Sequence, residues 1–170
     1  MVKLVISCIL VIISVVVQES LACNGYKATV KKISNCAGDD AIIQIAPDFD
    51  IKLNKKCELV PSGCIKNKAF NTAKVHFKLK KDGIVMKEDD VNLCAAAGKV
   101  NADAKAFMKV FAVPESCPVE DSEICANDHK VDLSKYKHLL SLAKGSIQID
   151  ATIEHDTGKT CLHADLEISK

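Results

Sequence analysis

Cysteine and histidine are the residues of this chain whose chemistry could matter most. Nine cysteines and five histidines occur among 170 residues. Cys8 stands inside an apolar N-terminal run. The other eight are Cys23, Cys36, Cys57, Cys64, Cys94, Cys117, Cys125 and Cys161. They form no CxxC pair and no tight cluster with histidine, so zinc ligation is not their chemistry. An even set of this kind reads as four disulfides formed in an oxidising compartment, and spacing alone leaves on the order of a hundred connectivities open. Among the histidines, His155 lies between Glu154 and Asp156 and is the best placed as a general base. It abuts a turn sequence, residues 156–159, and reads as a solvated turn residue. His76 and His163 alternate with apolar neighbours and are predicted to face outward. A His155–His163 metal pair lacks a third ligand. No nucleophile elbow, HExxH, P-loop or dinucleotide fingerprint is present. The sequence predicts no enzyme activity, no metal and no cofactor.

The elements that carry these residues begin after a targeting pattern. Lys3 precedes an apolar run over residues 4–17, and Ser20 and Ala22 supply small residues before a cut. The run is shorter than the ~20 residues that span a bilayer. Residues 1–22 are thus predicted to be a secretory signal, and residues 23–170 one extracellular domain with one core. An uncleaved anchor and a lipoprotein lipidated at Cys23 are the other readings of the same run. Net charge is +1, and every strong base is a lysine, since no arginine and no tryptophan occur. Phosphate and guanine recognition leans on the bidentate arginine fork, so nucleic acid is not predicted as a partner.

Period-two alternation dominates the domain. Phe49, Ile51 and Leu53 alternate with polar residues, as do Ala73, Val75, Phe77 and Leu79. Lys81-Asp82-Gly83 supplies a hairpin turn, and residues 84–88 return. Ile147, Ile149, Ala151 and Ile153 alternate similarly, and after a second turn so do Leu162, Ala164, Leu166 and Ile168. Residues 26–33 and 41–45 are weaker strands. One apolar and one polar face per strand predicts antiparallel sheets packed as an all-β sandwich. Residues 101–112 break the pattern: Ala104, Phe107, Met108 and Phe111 recur at helical spacing, with Asn101 as N-cap and Pro114 beyond the end. Residues 134–143 offer a second short helix.

The order of these motifs resembles the ML (lipid-recognition) domain family. The carriers of the resemblance are Cys57-Glu58-Leu59-Val60-Pro61-Ser62-Gly63-Cys64 ahead of a strand, and the hairpin that follows. To these are added the Cys-Pro step at Cys117-Pro118, the final hairpin with Cys161 in its return strand, and Cys36 after the first strand. The long stretch between Cys94 and Cys117 is similar to the ganglioside-activator subgroup rather than to the sterol carriers, in which it is short.

The resemblance implies a cup: two sheets with an apolar cavity between them and a short helical insert. It implies that Phe49, Ile51, Val75, Phe77, Leu79, Ile147, Ile149, Ile153, Leu162, Leu166 and Ile168 line that cavity. The alternative is that they simply pack a solid core. Phe107, Met108 and Phe111 on the insert would form a lid or touch a membrane transiently while lipid is taken up. The implied disulfides are Cys36–Cys161, Cys57–Cys64 and Cys94–Cys117, leaving Cys23 with Cys125. The function so implied is that of a secreted, monomeric carrier of a lipid or other small apolar ligand. The alternative function is a secreted disulfide-rich interaction protein, such as a co-receptor, an inhibitor, or a component of saliva or venom.

Overall fold

A computed structural model describes residues 22–102, 105–106, 108, 113–125 and 129–170. The predicted signal, Ala22 apart, lies outside the described residues, and so do Phe107 and Phe111 of the predicted insert helix. Within that stretch Lys105 donates its backbone N–H to Asn101 O at 3.0 Å, a helical contact, and Met108 is half-buried.

The strands are β1 (Lys27–Asn35), β2 (Ile43–Ile45), β3 (Asp50–Leu53), β4 (Glu58–Ser62), β5 (Cys64–Asn67), β6 (Ala73–Lys81) and β7 (Ile84–Asn92). β8 (Ser122–Cys125), β9 (Val131–Asp132), β10 (Gly145–His155) and β11 (Gly158–Ser169) complete the set. The short helices with described bounds are α1 (Leu93–Ala97) and α2 (Leu140–Ala143). The predicted helix over 134–143 is thus two pieces, a 3-10 turn at Ser134–Tyr136 and then α2. No helix of the described residues is long and apolar enough to cross a membrane.

One layer is a five-stranded antiparallel sheet in the order β1-β11-β10-β6-β7. The other is made of three chain segments that form two three-stranded pieces, β2-β5-β8 and β3-β4-β9. β4 runs into β5 through Gly63, at φ +89°, and this bend divides the layer. Only glycine fits there, because a Cβ would lie 2.8 Å from the Phe49 Cα. The architecture is the all-β antiparallel sandwich that the alternation predicts.

The hairpins carry suitable turn residues. Asp82 and Gly83 both adopt positive φ between β6 and β7, as a two-residue hairpin turn requires. Asp156-Thr157 joins β10 to β11. The Asp156 carboxylate accepts the backbone N–H groups of Asn71 at 2.8 Å and Thr72 at 3.0 Å, and the Asn71 side-chain amide at 2.8 Å. These donors, the Asn71 amide foremost, hold its pKa down to about 2.

Four disulfides cross-link the chain: Cys36–Cys161, Cys94–Cys117, Cys23–Cys57 and Cys64–Cys125. The implied Cys57–Cys64 loop and Cys23–Cys125 pair are corrected. Cys57 and Cys64 stand at opposite ends of β4, an extended segment that rises about 3.3 Å per residue and carries them beyond the ~7 Å limit for a bridge. Instead β5 pairs with β8 so that Cys64 lies directly opposite Cys125, with Cα atoms 4.0 Å apart. Cys57, at the β3–β4 turn, joins Cys23 in a buried cluster with Val131, Leu133 and Leu140.

Candidate functional site

The inner face of the large sheet is set by register. β10 presents Ile147, Ile149, Ala151, Ile153 and His155, and β11 presents Thr160, Leu162, Ala164, Leu166 and Ile168 opposite them. β6 aligns Ala73, Val75, Phe77 and Leu79 with the same rows. Over the β10–β11–β1 part of this face the layers enclose a cavity of about 330 Å³. This lies within the roughly 300–1,000 Å³ of small-molecule sites.

Its walls come from both layers. Ile33, Ile149, Ala151, Ile153, Leu162 and Ala164 face Ile43, Ile45 and Ile65 of the split layer. Phe70, Ala73, His155, Leu93, Ala97, Val113, Pro114 and Cys117 complete the lining. Among the described residues, no charged side chain except titratable His155 borders it. The space exists because small residues stand where larger ones would meet. Ala151 is opposite Leu162 and Ala164 is opposite Ile149, so two alanines sit diagonally across the β10–β11 ladder. Ala73 and Ala97 add the same economy of volume elsewhere on the wall. The Cys94–Cys117 disulfide ties α1 to the Val113–Pro114 wall segment.

Of the strand residues predicted to line a cavity, Ile149, Ile153 and Leu162 border this one. The others lie elsewhere in the two layers. Phe49 and Ile51 pack solidly with Ile65 in a buried cluster. Val75 is buried with Ile42, Phe70, Ala73 and Ile153, and Phe77 packs against that cluster from its edge. Leu79, Ile147, Leu166 and Ile168 share the inner face but are half-buried beside or beyond the cavity. Alternation correctly identifies the face but does not say how far along it the second layer stands off. Ile33, Ile43, Ile45, Ile65, Phe70 and His155 were not among the predicted lining residues. The signal that could have found the site is the presence of Ala151 and Ala164 among larger inward residues.

His155 also departs from expectation. It is the last residue of β10, paired with Ala73 and Gly158, and it turns inward to border the cavity. Its ring packs on Phe70 with centroids 4.4 Å apart, and its Nε2 lies 3.1 Å from Thr160 Oγ1. Burial pushes its pKa below the ordinary histidine value, and the nearby Asp156 charge opposes that shift. Burial thus favours the neutral imidazole at His155.

His163 and His76 lie on the outer face. His163 donates from Nδ1 to Asp150 at 2.6 Å and from Nε2 to Asp165 at 3.1 Å. These carboxylates, Asp150 first, raise its pKa. His76 sits between Asp90 and Glu88, each at 3.2 Å. Among the described residues, the cluster Cys64, Glu123 and Cys125 has the spacing of metal ligands, but its two sulfurs are joined to each other. A bonded pair offers no thiolate.

No model of a known protein family matches the chain. A crystal structure of a protein from Archaeoglobus fulgidus aligns with 83% of this chain and 98% of its own, at 11% identity and a TM-score of 0.25, too low to inform the fold. The chain is 33% identical over 158 residues to the sporozoite-associated mosquito saliva protein 1 of Anopheles gambiae, covering 89% of this chain and 86% of that protein. Identity and coverage at this level extend over both layers of the sandwich, and the chain belongs to the family of that saliva protein.

Proposed function

We propose that the protein is a secreted, non-enzymatic carrier that holds a lipid or other small apolar ligand between its two layers. The observation that carries the reading is the cavity of about 330 Å³ with an almost wholly apolar lining drawn from both layers. An apolar space offers water too few hydrogen-bond partners and favours an apolar guest. Each methylene moved out of water gains about 0.8 kcal/mol, so a ten-carbon stretch gains about 8 kcal/mol gross. Lost ligand freedom offsets much of this, which keeps exchange near balance, as a carrier requires. Secretion is supported by the four disulfides and by the saliva-protein relative.

The same proposal places the chain within the ML group. Its support is the antiparallel two-layer arrangement around a cavity and the Cys36–Cys161 and Cys94–Cys117 bonds that the group resemblance implies. The carrier acts as a monomer and meets a membrane only transiently. Native mass spectrometry of the secreted protein tests the reading. A bound mass lost on denaturation, and lipid recovered in near-stoichiometric yield by solvent extraction, are expected. A clean extract together with tight binding to another protein would replace the carrier with the interaction protein.

A further inference from the structure

Five large apolar side chains are exposed among the described residues, and all five belong to one end of the sandwich. Ile84, Val85 and Met86 open β7, with Ile84 at 69% and Met86 at 61% exposure. Leu139 and Leu142, the latter at 71%, lie just before β10. Two hydrogen bonds join these groups: Asp82 donates its N–H to Ser146 O at 2.8 Å, and Asp82 Oδ1 accepts the Ser146 N–H at 2.8 Å. Ile84 is two residues from Asp82 and Leu142 four from Ser146, so chain reach keeps them within about 7 Å and about 14 Å of that contact. Single exposed apolar residues are ordinary, but a group of them rimmed by charge marks an interaction site.

The rim is lysine. Residues 80–87 hold Lys80, Lys81 and Lys87, and residues 134–146 hold Lys135, Lys137 and Lys144. The acid in the first stretch is Asp82, which bonds Lys81 at 2.7 Å; the second stretch has none. Lys80 and Lys87 also lean back to Asp150 and Asp89. The whole chain sets 23 lysines against 22 acids, so this end is basic relative to the rest. Protein interfaces favour Trp, Tyr and Arg as anchors and are poor in lysine. Aliphatic side chains ringed by lysine instead suit the headgroup boundary of an anionic bilayer.

We propose that this end docks on an anionic lipid bilayer. Ile84, Met86 and Leu142 enter the headgroup boundary, and Lys135, Lys137 and Lys144 meet the lipid phosphates. The inference rests on the carrier reading, which needs a membrane contact without locating it. On the inner face, the pairs Ile147–Leu166 and Gly145–Ile168 continue the cavity-lining pair Ile149–Ala164 toward this same end. A lipid tail leaving the bilayer there meets an apolar row that leads to the cavity.

Full-length secreted protein is floated with vesicles of phosphatidylcholine alone or mixed with phosphatidylserine. Binding to the mixed vesicles is expected at about 0.1 M salt and is lost at about 1 M, where screening is complete within ~3 Å. Each lysine at such a surface is worth about fivefold in partition, so K137Q/K144Q binds about 25-fold more weakly. I84S/L142S loses at least about tenfold with an unchanged Tm, because both side chains are exposed in the free protein. K68Q/K159Q removes the same charge at the opposite end, where Ile42 bridges the two backbones, and binds as wild type. Absent flotation, equal binding to neutral vesicles, equal losses in the two lysine variants, or full binding by I84S/L142S overturns the inference. So does a wild-type dimer in sedimentation velocity that I84S/L142S makes monomeric, which gives the face to a second copy. Loading with cis-parinaric acid methyl ester without vesicles separates the two readings. Normal loading beside failed flotation removes the docking end alone, and failure to load overturns the carrier itself.

Discussion

Substituting Ala151 by leucine asks directly whether the space between the layers is empty. Ala151 lies in the middle of β10, opposite Leu162 of β11 and Phe77 of β6, and borders the cavity. Leucine adds three carbons. If they enter vacant space, they gain about 0.8 kcal/mol each, or about 2.4 kcal/mol in all. If the region is packed solid, the same carbons force strain that costs about 1–3 kcal/mol. The two cases differ in sign. For a domain of this size a kcal/mol moves Tm by about 2–4 °C. Delipidated Ala151→Leu is therefore expected to melt about 5–10 °C above delipidated wild type. The ligand response supplies a second readout. A probe at a hundred times its Kd stabilises wild type by about 2.7 kcal/mol, and the substitution should remove most of that shift by filling the site. Differential scanning fluorimetry on both proteins, with and without cis-parinaric acid methyl ester, measures both effects. A lower Tm for the delipidated variant, with an undiminished ligand shift, would show that no usable cavity exists.

Disulfide mapping by non-reducing peptide mass spectrometry is expected to recover Cys64 linked to Cys125 and Cys23 linked to Cys57; a Cys57–Cys64 peptide contradicts the β5–β8 register. Replacing Cys36 and Cys161 together by alanine opens a span of 125 residues and should cost about 5 kcal/mol in the chain-entropy account, against about 4 kcal/mol for Cys64 with Cys125. Urea denaturation of the two double variants compares them, and a larger loss for the second pair refutes the ordering. Phe49→Ala removes a buried ring from a solid cluster and should lower unfolding free energy by about 3–5 kcal/mol; a loss under 1 kcal/mol would place Phe49 outside the core. The His163 contact makes stability pH-dependent. Its raised folded pKa means that its contribution is complete below the unfolded value of about 6.5 and is lost as pH rises through the folded value. Asp150, whose pKa is lowered chiefly by its bond to His163, contributes above about 3.9 and loses that contribution as pH falls through its folded value. The stability gap between wild type and His163→Gln should be wide near pH 5.5 and narrow near pH 9, and an equal gap at both refutes the assignment.

Much of the framework is legible in the residue order because a strand's two faces are a local property. The alternations at 73–79, 147–153 and 162–168 appear as β6, β10 and β11, and Asp82-Gly83 makes the turn that its tolerance of positive φ predicts. Shorter strands were less legible. β4, β8 and β9 have two to five residues, and Pro61 lies inside β4, so no period could establish itself. Proline is compatible with such short strands only where the ladder does not need its missing N–H. His155 illustrates the same limit from the other side. Its acidic neighbours Glu154 and Asp156 suggest a wet turn, yet the β10–β6 register places it beside Ala73 on the inner face.

Composition and alternation by themselves settled that this is an antiparallel β protein with cysteines enough for four cross-links, since both follow from neighbouring residues and counts. Only the tertiary structure decided which cysteines meet, where the interior remains open and which way His155 turns. Each of these depends on the register between segments far apart in the chain, such as Cys64 against Cys125 or Ala151 against Leu162. Register is a collective result of packing two layers, and no stretch of sequence carries it alone.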